Sequence, residues 1–295
     1  MADAAVKTAG KVKSVTSTAN PLVKQIKALA MKKNRDREGV FLAEGRKLLT
    51  DAMEQGWQIE TVVCSSEMAA DPGFAATAAR CRATGADILE VNGKVLGAIS
   101  RRDNPQTVIA VIRQRWKEAN HIAGSLKAPG DIVIALDRVR DPGNLGTIIR
   151  AADAAGAKGI LLIGECTDPF SLEAVRATMG SLFHVPIARL SEDEFVAMAL
   201  KAAGGVQIAG THLQGAVDYR SIAWQEKPVI LVMGNEQQGL TTNLAGACDK
   251  LVFIPMAGQA DSLNLAVATG IVLFEARRDN LVMRTIEGAE GVSSA

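Results

Sequence analysis

The sequence predicts an α/β protein of two units, the second built on a parallel sheet, and three observations carry that expectation. From residue 131 onward, short apolar strands alternate with helical stretches, the pattern of a parallel sheet covered by helices on both faces. Three strands of this region run into glycine-bearing polar loops: DPGNLGTIIR from Asp141, GNEQQG from Gly234 and IPMAGQADSLNLAVATG from Ile254. Open α/β sheets bind ligands at strand ends of this kind. A shorter alternation before residue 116 predicts a small α/β sandwich in front of the sheet.

Taken in order, residues 1–18 read as a flexible tail, 19–115 as the first unit, 116–130 as a linker, 131–278 as the second unit and 279–295 as a second tail. NPLVKQIKALAMKK reads as one helix, with Asn20 as its cap and Pro21 at its first position. Strands are expected over 40–43, 59–64, 87–91 and 107–112, and helices over 46–55, 74–83 and 92–99. Gly124, Ser125, Pro129 and Gly130 mark the linker and leave the two units free to move. In the second unit, strands are expected over 132–137, 159–163, 206–211, 229–233 and 251–254. Helices are expected over 145–155, 171–180, 192–203 and 263–277, with Asp261 or Ser262 capping the last.

Composition bounds the function class. The 295 residues are 48% hydrophobic and 22% charged, as in a globular protein. No apolar run approaches the roughly 20 residues that span a bilayer, and the first residues lack the apolar core of a secretory signal. The expected location is cytoplasmic, without a membrane partner. Cys64, Cys81, Cys166 and Cys248 stand far apart, so neither a zinc site nor a disulfide framework is expected. The net charge of +1 hides an asymmetry, since residues 1–50 hold eleven Lys and Arg against four Asp and Glu. Lys24, Lys27, Lys32, Lys33 and Arg35 flank an apolar stripe of Leu22, Ile26 and Leu29, so this helix could dock and still present cations to a polyanion. A solvated charged face has the same composition.

The motif residues each admit a structural and a chemical role. Arg150 lies two turns into the helix after Asn144 and either pairs with Asp153 or holds a phosphate, with Gly146 one turn below leaving access. Asn144 is a helix cap or an orienting amide, and Glu236 a surface turn residue or a carboxylate for Arg150 or a ribose. Ser262 and Asn264 are first a cap and a first-turn polar residue. His121, His184 and His212 all fall outside these stretches, which disfavours an imidazole base.

Together the three stretches resemble the SpoU family of RNA ribose 2′-O-methyltransferases, within the knotted SPOUT class. The first motif corresponds to Asn144 through Arg150, the second to Gly234 through Gly239, and the third to IPM followed by Ser262 to Asn264. The resemblance covers 131–278 closely and extends more loosely through FLAEGRKLL and NPQTVIAVI to the family's amino-terminal domain. It implies an L30e-like RNA-binding domain followed by a methyltransferase domain with a deep trefoil knot, which ordinary topology rules would not suggest. It implies S-adenosyl-L-methionine as cofactor, no metal, RNA as partner, ribosomal rather than transfer RNA, and a homodimer formed through the second domain. The implied reaction centre is Arg150, Asn144, Glu236, Ser262 and Asn264. Thr211, Gly234, Ile254, Met256 and Leu263 would hold the cofactor, largely through backbone groups. Lys24, Lys32, Lys33, Arg35, Arg46 and Lys47 would meet the RNA, with Glu44 and Gly45 nearby. A guanidinium with a pKa above about 12 keeps its proton, so Arg150 fits charge stabilisation better than base catalysis.

Two rival readings remain. ALDRVRDPGNLGTIIRAADAAGAKGILLIGE imitates a dinucleotide-binding unit, with Glu165 about twenty residues past the loop, but Gly143 and Gly146 do not complete G-x-G-x-x-G. The fold could also serve as an RNA-binding module without catalysis, yet Arg150, Glu236 and Asn264 are all present.

Overall fold

The computed structural model describes residues 8–100, 104–212 and 216–282. Its first part runs β1 (Val12–Val15), α1 (Pro21–Ala28), α2 (Lys32–Glu38), β2 (Val40–Glu44), α3 (Arg46–Glu54), β3 (Ile59–Ser65), α4 (Ser66–Ala69), α5 (Pro72–Ala83), β4 (Asp87–Val91), α6 (Gly93–Ser100) and β5 (Val108–Arg113). The five strands form one sheet in the order β1-β4-β3-β5-β2. Two expectations fail here. The single helix from Pro21 is two, because the chain turns at Leu29–Met31 before α2 restarts and ends at the left-handed Gly39. Residues 12–15, expected as tail, are an edge strand parallel to β4, fixed by Lys13 on the Asp87 carboxylate.

The second part runs α7 (Ala119–Ala123), β6 (Ile132–Asp137), α8 (Pro142–Ala154), β7 (Ile160–Ile163), α9 (Leu172–Thr178), β8 (Ile187–Leu190), α10 (Glu192–Ala202), β9 (Gln207–Thr211), β10 (Val217–Asp218), β11 (Val229–Met233), α11 (Thr242–Gly246), β12 (Lys250–Phe253) and α12 (Leu265–Arg277). Its sheet is wholly parallel, in the order β10-β12-β9-β11-β6-β7-β8. The central strands β6, β7 and β11 are buried throughout because both faces are covered. Residues of β6 and β11 alternate between two apolar cores, Ile132, Ile134 and Leu136 in one, Val133 and Ala135 in the other. From β6 the chain winds outward through β7 and β8, then returns to place β11 between β6 and β9. That return makes a switch point at the carboxyl ends of β6 and β11, where ligand crevices open in such sheets.

The segment 116–130 is laid against the second sheet rather than hanging free. The Lys117 amide donates to the Ile187 carbonyl, and Trp116 meets Phe170 edge-on with ring centroids 5.0 Å apart. Arg189 lies 3.8 Å over the same indole. One apolar core crosses from the first unit to the second, joining Phe41 and Trp57 to Phe170 and Phe183. The indole N–H of Trp57 donates to the Phe183 carbonyl. Polar bonds flank it: Arg176 forks onto Glu44, and Arg35 onto Asp168. The expectation of freely moving units is replaced by a packed joint.

Candidate functional site

The carboxyl edge of the second sheet gathers the polar motifs. Asp141 caps α8, its Oδ1 accepting the Asn144 amide at 2.6 Å, and Pro142 occupies the first position where no N–H is needed. The helix therefore starts before Asn144, which sits in its first turn and is not the cap. At α12 the cap is Asn264, whose Oδ1 accepts the amides of Ala266 and Val267, whereas Ser262 is exposed and Asp261 precedes the helix by four residues.

Asn264 has a second engagement. Its Nδ2 donates to Asn144 Oδ1 at 2.9 Å, and Asn144 Nδ2 in turn donates to Glu236 Oε1 at 3.4 Å. One residue from each motif thus joins a single chain of hydrogen bonds across the switch point. Ser262 makes no side-chain hydrogen bond among the described residues and does not join it.

Glu236 hangs on a tight turn. Asn235 and Gly239 exchange backbone bonds, and Asn235 Oδ1 accepts the amides of Gln237 and Gln238. Gly234 packs so closely on the return strand of this turn that a Cβ would lie 2.6 Å from Gly239 C and Leu240 N. The Gly234 amide donates to Thr211 Oγ1 at 3.4 Å.

Thr211, Gly234 and Ile254 stand at the carboxyl ends of three adjacent strands, β9, β11 and β12. Beyond Ile254 the chain runs as an exposed loop, and from 256 to 263 no backbone group bonds to another backbone group among the described residues. A row of free amides and carbonyls beside a shallow glycine turn suits a nucleoside cofactor held by backbone atoms. Met256 and Leu263 are exposed apolar side chains at the two ends of this loop.

Other expectations shift. Arg150 is exposed and its side chain makes no hydrogen bond or ion pair among the described residues, so the alternative pairing with Asp153 does not form. Six residues on from Asn144, it lies about 240° around α8 and about 9 Å along it, on a different side from the Asn144 chain. Gly146 does not open access beneath it. A Cβ there would lie 2.5 Å from Ala177 Cβ and 2.6 Å from the Ala174 carbonyl, so this glycine lets α9 pack on α8.

Among the expected RNA-facing cations, Lys24, Lys32, Lys33, Arg46 and Lys47 are on the surface, although Lys32 pairs with Asp36 and Lys47 with Asp51 and the Met179 carbonyl. Arg46 donates to the Gly73 carbonyl. Arg35 is the correction: it is 4% exposed and spent on Asp168 and on the carbonyls of Leu29 and Ala30. Glu44 is likewise buried at the joint, held by Arg176. No group of three or more His, Cys, Asp or Glu is placed to hold a metal among the described residues. Burial pushes the thiols of Cys64, Cys81 and Cys166 up to about 11 and that of Cys248 to about 12, away from nucleophilic use.

Sequence reasoning missed Asn235, which fixes the turn carrying Glu236, although an Asx residue before a turn commonly bonds the amides two and three residues on.

Asn264 supports a separable test. Asn264→Ala removes cap and bridge together and should cost about 1 kcal/mol of stability. Asn264→Asp keeps the cap oxygens but loses the donor to Asn144, so urea melts should match wild type while turnover at this site falls.

A parallel sheet with its polar residues converging at the switch point, beside a loop of backbone groups not bonded to one another, is the arrangement of a ligand-binding α/β fold. The chain belongs to the SpoU rRNA methylase family, whose profile matches residues 131–274, and an MRM3-like substrate binding domain matches 20–110. It is 33% identical over 266 residues to the 23S rRNA (guanosine(2553)-2′-O)-methyltransferase of Bacillus subtilis, covering 90% of this chain and 100% of that protein. It is 32% identical to a 23S rRNA (uridine(2479)-2′-O)-methyltransferase of Streptomyces viridochromogenes, over 90% of this chain and 92% of the relative. Among solved structures, an AdoMet-bound rRNA methyltransferase from Sinorhizobium meliloti shares 54% identity with a TM-score of 0.85, covering 92% of this chain and 99% of that one.

Proposed function

We propose that the protein transfers a methyl group from S-adenosyl-L-methionine to a ribose 2′-hydroxyl of ribosomal RNA. The observation that carries this reading is the bond chain Asn264–Asn144–Glu236, which joins all three motifs at the switch point beside the backbone-lined loop. The cofactor supplies an electrophilic methyl on a sulfonium. Thr211, Gly234, Ile254, Met256 and Leu263 hold it, mainly through backbone groups. Asn144, fixed at both ends, orients the Glu236 carboxylate toward a ribose hydroxyl. Arg150, on another side of α8 from that chain, binds the nucleotide's phosphate and so positions the ribose, and its charge stabilises the oxygen that attacks the methyl.

The first unit, expected over 19–115 and extended by β1 to residue 12, serves as an L30e-like RNA-binding domain, and the second as a methyltransferase domain over 131–278. The deep trefoil knot is part of the same reading and rests on the likeness to the family. Surface cations on α1, α2 and α3 support the RNA face. A homodimer through the second domain is part of the same reading. Val267 and Phe274, 52% and 42% exposed and seven residues apart on α12, form an apolar stripe that a second copy would cover. Sedimentation should give twice the 31.0 kDa of one chain; a monomer at micromolar concentration would remove the dimer.

The direct test is transfer of a tritiated methyl to ribosomal RNA, followed by mapping of the modified nucleotide. Label on a base, or none on any RNA despite cofactor binding, would overturn the reading. For the RNA face, the logarithm of affinity should fall with log salt by roughly 0.7 to 0.9 per phosphate contact. Replacing Lys24, Lys32 and Lys33 by Ala should flatten that slope, and an unchanged slope would place the RNA elsewhere.

A further inference from the structure

Arg138 follows directly on β6 and has no part in the motifs, yet five of its groups are committed. Its backbone is left-handed, φ +48°, one of two non-glycine residues so placed among those described. An arginine there costs about 1 kcal/mol that glycine would not. The conformation aims its carbonyl at the turn after β11, where it accepts Asn235 Nδ2 at 2.9 Å. Its own amide donates to Ile163, at the end of β7.

The side chain explains why glycine does not occupy the position. Asp137, at the end of β6, is 1% exposed, and the Arg138 fork meets both its oxygens, Nε to Oδ1 and Nη2 to Oδ2, each at 2.8 Å. The remaining nitrogen, Nη1, donates to Gln238 Oε1 at 3.2 Å. A buried carboxylate needs a partner; the bond to Gln238 goes beyond that need. Backbone and side chain of one residue therefore grip the 234–239 turn at two points, Asn235 and Gln238, on either side of Glu236.

That grip matters because the Glu236 contact is marginal. Its bond from Asn144 is 3.4 Å long, near the limit of a useful hydrogen bond, so a few tenths of an ångström decide whether it exists. We propose that Arg138 is a positioning residue for methyl transfer, acting through the turn to hold Glu236 against Asn144. The proposal rests on the reading of Glu236 as part of the reaction site, and its geometric half can be tested without activity.

The test pairs Arg138→Lys with Glu236→Gln in a double-mutant cycle. Lysine keeps a charge for Asp137 but loses the fork that also reaches Gln238. In wild type, Arg138→Lys should lower the single-turnover rate about tenfold, whereas in Glu236→Gln it should cost less than about twofold, because its route is already gone. Titration calorimetry should show cofactor affinity changed by less than about threefold. Equal losses in both backgrounds, or a loss lying wholly in cofactor affinity, would overturn the proposal. The activity-independent readout is the Asn144 side-chain amide in nitrogen–proton NMR, assigned by its disappearance in Asn144→Asp. Its signal should move in Arg138→Lys toward the position it takes in Glu236→Gln, and an unmoved signal would also overturn the proposal. If wild type methylates no RNA, the reading of function fails while this spectroscopic comparison still decides the positioning. Should Arg138→Lys not fold, Gln238→Ala removes only the outer bond and should give the same pattern at about threefold.

Discussion

Replacing Arg150 by alanine is expected to lower the single-turnover rate of methyl transfer by about a hundredfold or more, on the order of 3 kcal/mol, as losing an oxyanion donor does. The expectation follows from its placement. Arg150 is exposed, and within the chain it holds nothing together, so its removal should leave the melting temperature nearly unchanged. Cofactor affinity should also persist, because Thr211, Gly234 and the 256–263 loop stand at strand ends on another side of α8. Lysine should rescue only in part, keeping charge but losing the planar fork. The pH profile of the rate separates mechanisms. A titration near the ordinary lysine range that appears only in Arg150→Lys would mean that this side chain takes the proton. A parallel loss at every pH would mean positioning and charge. A near-normal rate in Arg150→Ala would remove Arg150 from the reaction centre.

The parts of this molecule that were legible in the sequence are those set by local pattern. The apolar runs of β6 and β11 announced a sheet buried on both faces, and each glycine-rich turn beyond a strand announced the carboxyl edge. Strands carrying little pattern escaped: β1 (VKSV), β8 (IARL) and β10 (VD) mix polar residues into two to four positions, whereas the equally short β7 (ILLI) is an unbroken apolar run. Choices made by distant partners escaped as well. Ser262 and Asn264 are both good caps by composition, and what selects Asn264 is compatible with its bond to Asn144, 120 residues away. Gly146 reads as an opening until α9 is laid across it. The αL carbonyl of Arg138 and its link to Asn235 join two strand ends nearly a hundred residues apart, and no local rule anticipates them.

Arg35 shows the same limit at its largest energetic scale. Set in KKNRDRE among exposed cations, it reads as one more RNA contact, but its guanidinium is buried between the two units. Nε and Nη2 donate to Asp168 Oδ2 at 2.8 and 2.7 Å, and Nη1 donates to the carbonyls of Leu29 and Ala30. The other Asp168 oxygen accepts the Phe170 amide, with Arg189 at 3.8 Å. Arg35→Ala should therefore destabilise by about 3–5 kcal/mol, since a buried carboxylate loses its main partner and two carbonyls lose their donor. Arg189, on the rim, can recover part of the Asp168 interaction, which sets the lower end of that range. Asp168→Asn in the Arg35→Met background removes both charges and should return most of the loss, because the cost lies in the unpaired charge rather than in the missing attraction. Urea unfolding of the four chains measures this directly. If Arg35→Ala melts like wild type while RNA affinity and its salt slope fall, then Arg35 faces RNA after all, and the packed joint between the units is not the one described.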